Sequence, residues 1–292
     1  MGGPKGNQWL QQLVFVGPAF IFFSIIVLIP FFFGIYYSFT SWNGISTTVE
    51  WVGWDNFKRL FSDRHFVNAF LFTVKFMIVT VIITNTIAFL LALLLTRALK
   101  LRNLYRTVYF LPNVIGGLLL GYIFQFIFTR GFPALGELTG IGLFQLPWLG
   151  TAGTGFWAVV IISVWQMAGY MMVIYIAGII SIPKELLEAG KIDGASGWSL
   201  IRRIVVPLVM PSVTVCLFLT ISNCFKAFDQ ILSLTGGGPF KSTETVALDI
   251  YFEAFTRNHF GLGSAKAIVF FIIVAAVTMV QVALTKRREV EA

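Results

Sequence analysis

A few polar side chains recur at helical spacing inside the apolar stretches of this 292-residue chain, and they are where binding chemistry has to be sought. Gln166 and Tyr170 are four residues apart, and Thr220 and Asn223 three apart, so each pair stands on one helix face; Asn85 sits alone in another apolar run. Amides, a hydroxyl and an aromatic ring suit a neutral, hydroxyl-rich ligand and fit a hydrophobic or strongly anionic one poorly. The same groups also serve as hydrogen-bond glue between helices. Reaction chemistry is not in sight. His65 and His259 are single, with no Cys or carboxylate at ligand spacing, and no nucleophile, base and acid come together, so neither a catalytic residue nor a metal ligand is assigned. The nearest approach to a phosphate-cradling loop, residues 236–243, lacks the Gly required before Lys241. The chain is therefore expected to hold no cofactor of its own, and any ATP energy must enter through a partner.

These residues are set in an unusual composition. Hydrophobic residues make up 57% of the chain and charged ones 12%, against roughly 45–50% and about 25% in ordinary soluble domains. So much apolar surface needs a lipid bilayer. The net charge of +8 does not point to nucleic acid, because the Lys and Arg residues are dispersed among apolar runs and form no basic face. Cys216 and Cys224 are too far apart along one helix, about 12 Å, for a disulfide.

With charges used as fences, six stretches reach the ~20 residues a span needs. They are residues 13–39, 76–96, 107–129, 156–180, 207–225 and 267–285, which predicts an all-α polytopic protein of six transmembrane helices, with residues 1–292 as a single membrane domain. The first stretch reads as an uncleaved span, not a signal peptide. If the termini are cytoplasmic, the inner segments hold Lys5, Arg97, Lys100, Arg102, Arg106, Lys184, Lys191, Arg202, Arg203, Lys286, Arg287 and Arg288. The outer loops hold fewer basic residues over a greater length, so both termini are expected on the cytoplasmic side.

The inner loop 181–206 is the least ordinary segment. Ser181 is expected to cap a short helix with Pro183 in its first turn. Leu186, Leu187, Ala189 and Gly190 give that helix a small apolar face. Gly194 is expected to end it in the left-handed conformation, and Ser196 to cap a second helix carrying Trp198, Ile201, Ile204 and Val205. Helices this short are marginal alone in water, so the pair should be docked on something.

The spacing Glu188-Ala189-Gly190, then Gly194, then Ile204-Val205-Val206-Pro207 resembles the signature loop of binding-protein-dependent ABC importer permeases. Gly190 stands where that pattern has Ala, and Val206 where it has Leu. Residues 51–57, Phe110-Leu111-Pro112 and Thr235-Gly236-Gly237-Gly238-Pro239 are similar to the maltose-type and glycerol-3-phosphate-type sugar permeases. The resemblance covers most of the chain. It implies a type I ABC importer permease fold in a bacterial cytoplasmic membrane and a sugar, an oligosaccharide, as cargo. It also implies three kinds of partner: a second permease subunit, two cytoplasmic ATPase subunits that bind the ATP and Mg²⁺, and an extracytoplasmic sugar-binding protein. By the same resemblance Glu188, Ala189, Gly190, Asp193, Gly194 and Ala195 belong to the helix on which an ATPase docks. The sugar-contacting positions fall on Val164, Gln166, Met167, Tyr170, Thr220, Asn223, Cys224 and Ala227. Because Val164, Cys224 and Ala227 lack side-chain amides, the sugar is expected to differ from that of the maltose-type permeases.

Three other readings are weaker. An ion-coupled secondary transporter would want a carboxylate in a span core, and Asp229 is only near an end. An enzyme on lipid-linked sugars would want clustered carboxylates. A permease for glycerol-3-phosphate would want a midplane cation, which the spans lack, although a partner permease could supply one.

Overall fold

The computed structural model describes residues 5–97 and 99–287, with side chains from residue 13. Apart from one isolated bridge between Thr40 and Trp51, regular structure among these residues is helical. Among the described residues five helices are long and apolar enough to span a membrane, or six if one bent pair counts as a single span. Packing divides the described residues into two compact units, one running to residue 63 with 250–270 and the other residues 64–249 with the chain from 271.

The first unit contains α1, whose apolar part is Leu13–Ser38, and the short helix α2, Asp55–Ser62. None of the most apolar stretch of α1 is buried, and Phe15, Phe20 and Phe32 stand exposed. Past its end the aromatic residues of the 51–57 segment organise the turn. Trp51 stacks on Phe39 at 5.4 Å, Trp54 meets the same ring edge-on at 5.2 Å, and the buried Asn56 amide donates to Ser38 O (2.9 Å) and Thr40 O (2.8 Å). The unit also holds a charged cluster. Lys266, fully buried, donates to Asp63 Oδ2 at 2.7 Å and Glu253 Oε2 at 2.8 Å, and Glu253 also accepts from Arg257 (2.6 Å) and pairs with His259 Nδ1 (2.8 Å).

The second unit is built on α3 (Arg64–Leu95) and α6 (Ala152–Ile180). α3 is longer than the expected 76–96 because Lys75 does not fence it: the ammonium lies 4.5 Å from the centre of the Phe156 ring and stays within the helix. Between them come α4 (Arg102–Phe110) and α5 (Gly117–Thr139). The expected uninterrupted helix 107–129 is broken at this point. Pro112 has no N–H to give, residues Leu111–Val114 tighten to a 3-10 turn, and the helix restarts after an extended Gly116. Small residues on α3, Ala88 and Ala92, let it approach α6, and they form one core with Met171, Met172, Tyr175, Ile176 and Cys216.

Residues 181–192 give α7, Lys184–Ile192. Its start corrects the expectation for Ser181, which ends α6 with its hydroxyl bonded to Gly178 O, while Pro183 takes the N-cap position. Helix α8 (Gly197–Leu208) then meets α9 (Met210–Phe225) at a bend of 73°. Pro207 and Pro211 flank the fully buried Val209 there, and Pro211 leaves the helix ladder without one of its donors. After α9 follow α10 (Asp229–Leu234), α11 (Val246–Tyr251) and α12 (Phe260–Lys286), the last starting seven residues earlier than expected.

Candidate functional site

Where α9 stops, the chain passes through residues 226–228 and restarts as α10, so a helix break lies beside α5 and α6. A cavity of about 260 Å³ opens at this break. Gln166 and Met167 of α6, Asn223 and Cys224 of α9, Asn113 of the 3-10 turn and Gly117 of α5 line it, with Phe76, Lys226, Ala227, Phe228, Asp229 and Gln230 completing the wall. Side-chain amides dominate. Gln166 is anchored by its Nε2, which donates to Ile115 O at 3.1 Å, and Gln230 by a 2.8 Å bond from Nε2 to Ser163 Oγ. Each anchor leaves the amide Oε1 with no partner among the described residues; that of Gln230 is buried. A buried or half-buried amide oxygen without a donor is costly unless a ligand or solvent supplies one.

Of the four substrate candidates read from the sequence, the fold brings Gln166 and Asn223 to this cavity, and Tyr170 and Thr220 elsewhere. Thr220 is fully buried, donates to Cys216 O at 2.5 Å and accepts from Asn85 Nδ2 at 3.3 Å, while the Tyr175 hydroxyl donates to Asn85 Oδ1 at 2.8 Å. That network ties α3, α6 and α9 together, so Asn85 and Thr220 spend their polar groups on helix packing. Tyr170 packs beside the core with its ring edge-on to Phe110 at 6.3 Å. Val164 also lies apart from the polar cavity, in an apolar groove of about 590 Å³ with Ile87, Val108, Trp157 and Trp165.

Four polar lining residues, Asn113, Lys226, Asp229 and Gln230, were not among the sequence candidates. The signal available was the charged pair Lys226 and Asp229 straddling the end of an apolar run, which reads as a loop until the break is seen to fold back against two spans.

The loop segment forms a second candidate surface. On α7 and just past its end, Glu188, Ala189 and Asp193 are exposed, Gly190 is buried, and Ala195 is half-buried. Gly194 has φ +83°. Ala195 N bonds Gly190 O at 2.9 Å and Gly194 N bonds Lys191 O at 3.1 Å, the paired bonds that end a helix through a left-handed residue, as expected. Ser196 stands at the N-cap of α8, but its side chain makes no cap bond. At Gly190 an added Cβ would overlap the end of the Ile204 side chain, which would have to shift, so the glycine lets α8 rest against α7 with Ile204 in place.

Comparison with known proteins follows the same lines. The model of the family described as binding-protein-dependent transport system inner membrane component matches residues 85–290. The probable starch degradation products transport system permease protein AmyD of Thermoanaerobacterium thermosulfurigenes is 49% identical, over 98% of this chain and 97% of its own. The multiple sugar-binding transport system permease protein MsmF of Streptococcus mutans is 33% identical, over 94% and 96%. Among solved structures, a chain of a bacterial ABC transporter involved in the import of the acidic polysaccharide alginate superposes with a TM-score of 0.82 at 21% identity, covering 97% of this chain and 96% of that one.

Proposed function

The chain belongs to the family of binding-protein-dependent transport system inner membrane components, and from that premise we propose that it is one permease subunit of an ATP-driven importer that moves a neutral oligosaccharide. The observation that carries this reading is the amide-lined cavity at the break after α9. Lipid offers polar groups no partner, so unpartnered amides at a helix break among spans serve a hydrophilic passenger. Gln166 and Asn223 are its sugar-contacting residues.

In this reading the bilayer is the bacterial cytoplasmic membrane, both termini are cytoplasmic, and a binding protein delivers sugar from the far side. A second permease subunit completes the path. Two ATPase subunits hold ATP and Mg²⁺ and dock on α7, where Glu188 pairs with a basic residue of the ATPase while Ala189, Gly190 and Ala195 permit close backbone approach. A swing of the ATPases then passes as a rigid-body movement through α7 into α8 and α9. A second reading, an anionic solute of the glycerol-3-phosphate kind, is favoured by one observation: Lys226 lines the cavity.

The relative with 49% identity carries starch degradation products in its name, so labelled maltotriose on saturating binding protein is the probe. In vesicles holding the whole transporter, Asn223→Ala and Gln166→Ala should each weaken uptake about tenfold or less, the worth of one hydrogen bond. Unchanged uptake in both variants, with assembly intact, would overturn the assignment of the cavity. Glu188→Lys should leave insertion intact and release the ATPases or uncouple their hydrolysis from sugar. Normal sugar-stimulated hydrolysis would remove α7 from the coupling path.

A further inference from the structure

Two of the cavity's lining residues carry opposite charges that do not meet. Lys226 opens the three-residue break between α9 and α10 and Asp229 follows it, three positions on, yet they form no ion pair with each other. Among the described residues neither the Lys226 ammonium nor the Asp229 carboxylate has a hydrogen-bond or ion-pair partner. Asp229 packs against α5: its Cβ lies 3.0 Å from where a Cβ on Gly117 would stand, so the glycine lets it approach closely.

We infer that Lys226 and Asp229 together set the charge selectivity of the cavity in favour of an uncharged polyol; this rests on the reading of the cavity as the sugar site. The ammonium can only donate hydrogen bonds and the ionised carboxylate can only accept them. A hydroxyl does both, so one sugar ring satisfies the two groups at once, giving two hydroxyl protons to Asp229 and a hydroxyl oxygen to Lys226. A phosphate or uronate satisfies Lys226 but brings like charge to Asp229, and an amino sugar has the reverse fault. Lys226 alone would make the cavity an anion site; Asp229 beside it cancels that preference. Asn113 and Asn223, which read neither charge, supply the remaining donors and acceptors.

The test uses the complete transporter in vesicles with two labelled probes, maltotriose and maltotriose oxidised to a carboxylate at one C6, each supplied on saturating binding protein. The ratio of anionic to neutral uptake is compared between variants and parent, so the binding protein's own preference cancels. Asp229→Asn should lower neutral uptake and raise the ratio about tenfold, in line with loss of a hydrogen bond to a charged group. Lys226→Met, at an exposed position, should move the ratio the other way. A ratio that stays at the parental value in both variants overturns the inference. If Asn223→Ala still lowers uptake of both probes alike, the cavity remains the sugar site and only the charge reading fails. If Asn223→Ala is also silent, the cavity is not on the sugar path and both fall together.

Discussion

Lys266 has no accessible surface, yet its ammonium is held by Asp63 at 2.7 Å and Glu253 at 2.8 Å, whereas Lys226 is exposed in a cavity wall with no ion partner among the described residues. These two sites thus hold their charges in opposite ways. In the first unit the carboxylate of Glu253 receives Lys266, Arg257 and His259 together. In the second, Lys226 and Asp229 are left for something else to satisfy. A charge that is buried and answered fixes structure, and its loss strands a partner. A charge that is accessible and unanswered leaves the fold alone when removed and alters what the fold accepts.

The largest effect that could break this contrast is on stability. Lys266→Met strands two carboxylates and should cost about 3–5 kcal/mol, seen as a steep drop in melting temperature in detergent. Lys226→Met should leave the melting temperature at the parental value. Equal shifts in the two variants would end the distinction between the two sites.

Acid offers a second cut. Burial pushes the Glu253 carboxyl up, but the hydrogen bonds from Lys266 and His259, the Lys266 charge and the Arg257 bond outweigh it and hold the group below its ordinary 4.5. On acidification the unfolded chain takes up this proton first. The contribution is therefore complete above about pH 4.5 and is lost as the pH falls through the lower folded-state value. Melting temperature should fall more steeply below about pH 4.5 in the parent than in Glu253→Gln, and parallel curves would show that the cluster does not hold the carboxylate ionised.

The smallest effect sharpens the comparison inside the second unit. Asn85 is answered by Tyr175 and Thr220, as a packing group should be, so Asn85→Ala should cost only about 0.6 kcal/mol of stability and leave the apparent affinity for maltotriose unchanged. A loss of affinity without a loss of stability would move Asn85 from packing into the sugar path.

The six crossings were legible because hydropathy over twenty residues outweighs local detail, and the turn at Gly194 because one residue type there takes positive φ cheaply. The ends and breaks were not. Lys75 misled as a fence since an aromatic ring accommodates its charge, and Pro112 and Pro211 mark breaks whose angles depend on what packs against them. Two residues of the cavity lining, Gln166 and Asn223, were visible as amides in apolar runs. Tyr170 and Thr220 share those runs, and only the rotation of α6 and α9 about their axes separates a cavity face from a packing face. Asn113, Lys226 and Asp229 were missed for a different reason: hydropathy assigns them to span ends, and nothing local says that those ends fold together.

The 73° bend at Val209 makes α8 and α9 the two arms of a bell crank. With 1.5 Å per residue, the arm Gly197–Leu208 is about 18 Å long and the distance from Met210 to Asn223 about 20 Å. Val209 is fully buried between two prolines, so the pivot does not yield by local fraying. In the proposed coupling, a push of about 1 Å on α8, delivered through the glycine contact of α7 against Ile204 about 7.5 Å from Val209, turns the crank by about 8° and carries Asn223 sideways by about 3 Å. That stroke equals the length of a hydrogen bond. In the proposed reading the grip on a sugar hydroxyl is then set or broken by geometry at the pivot.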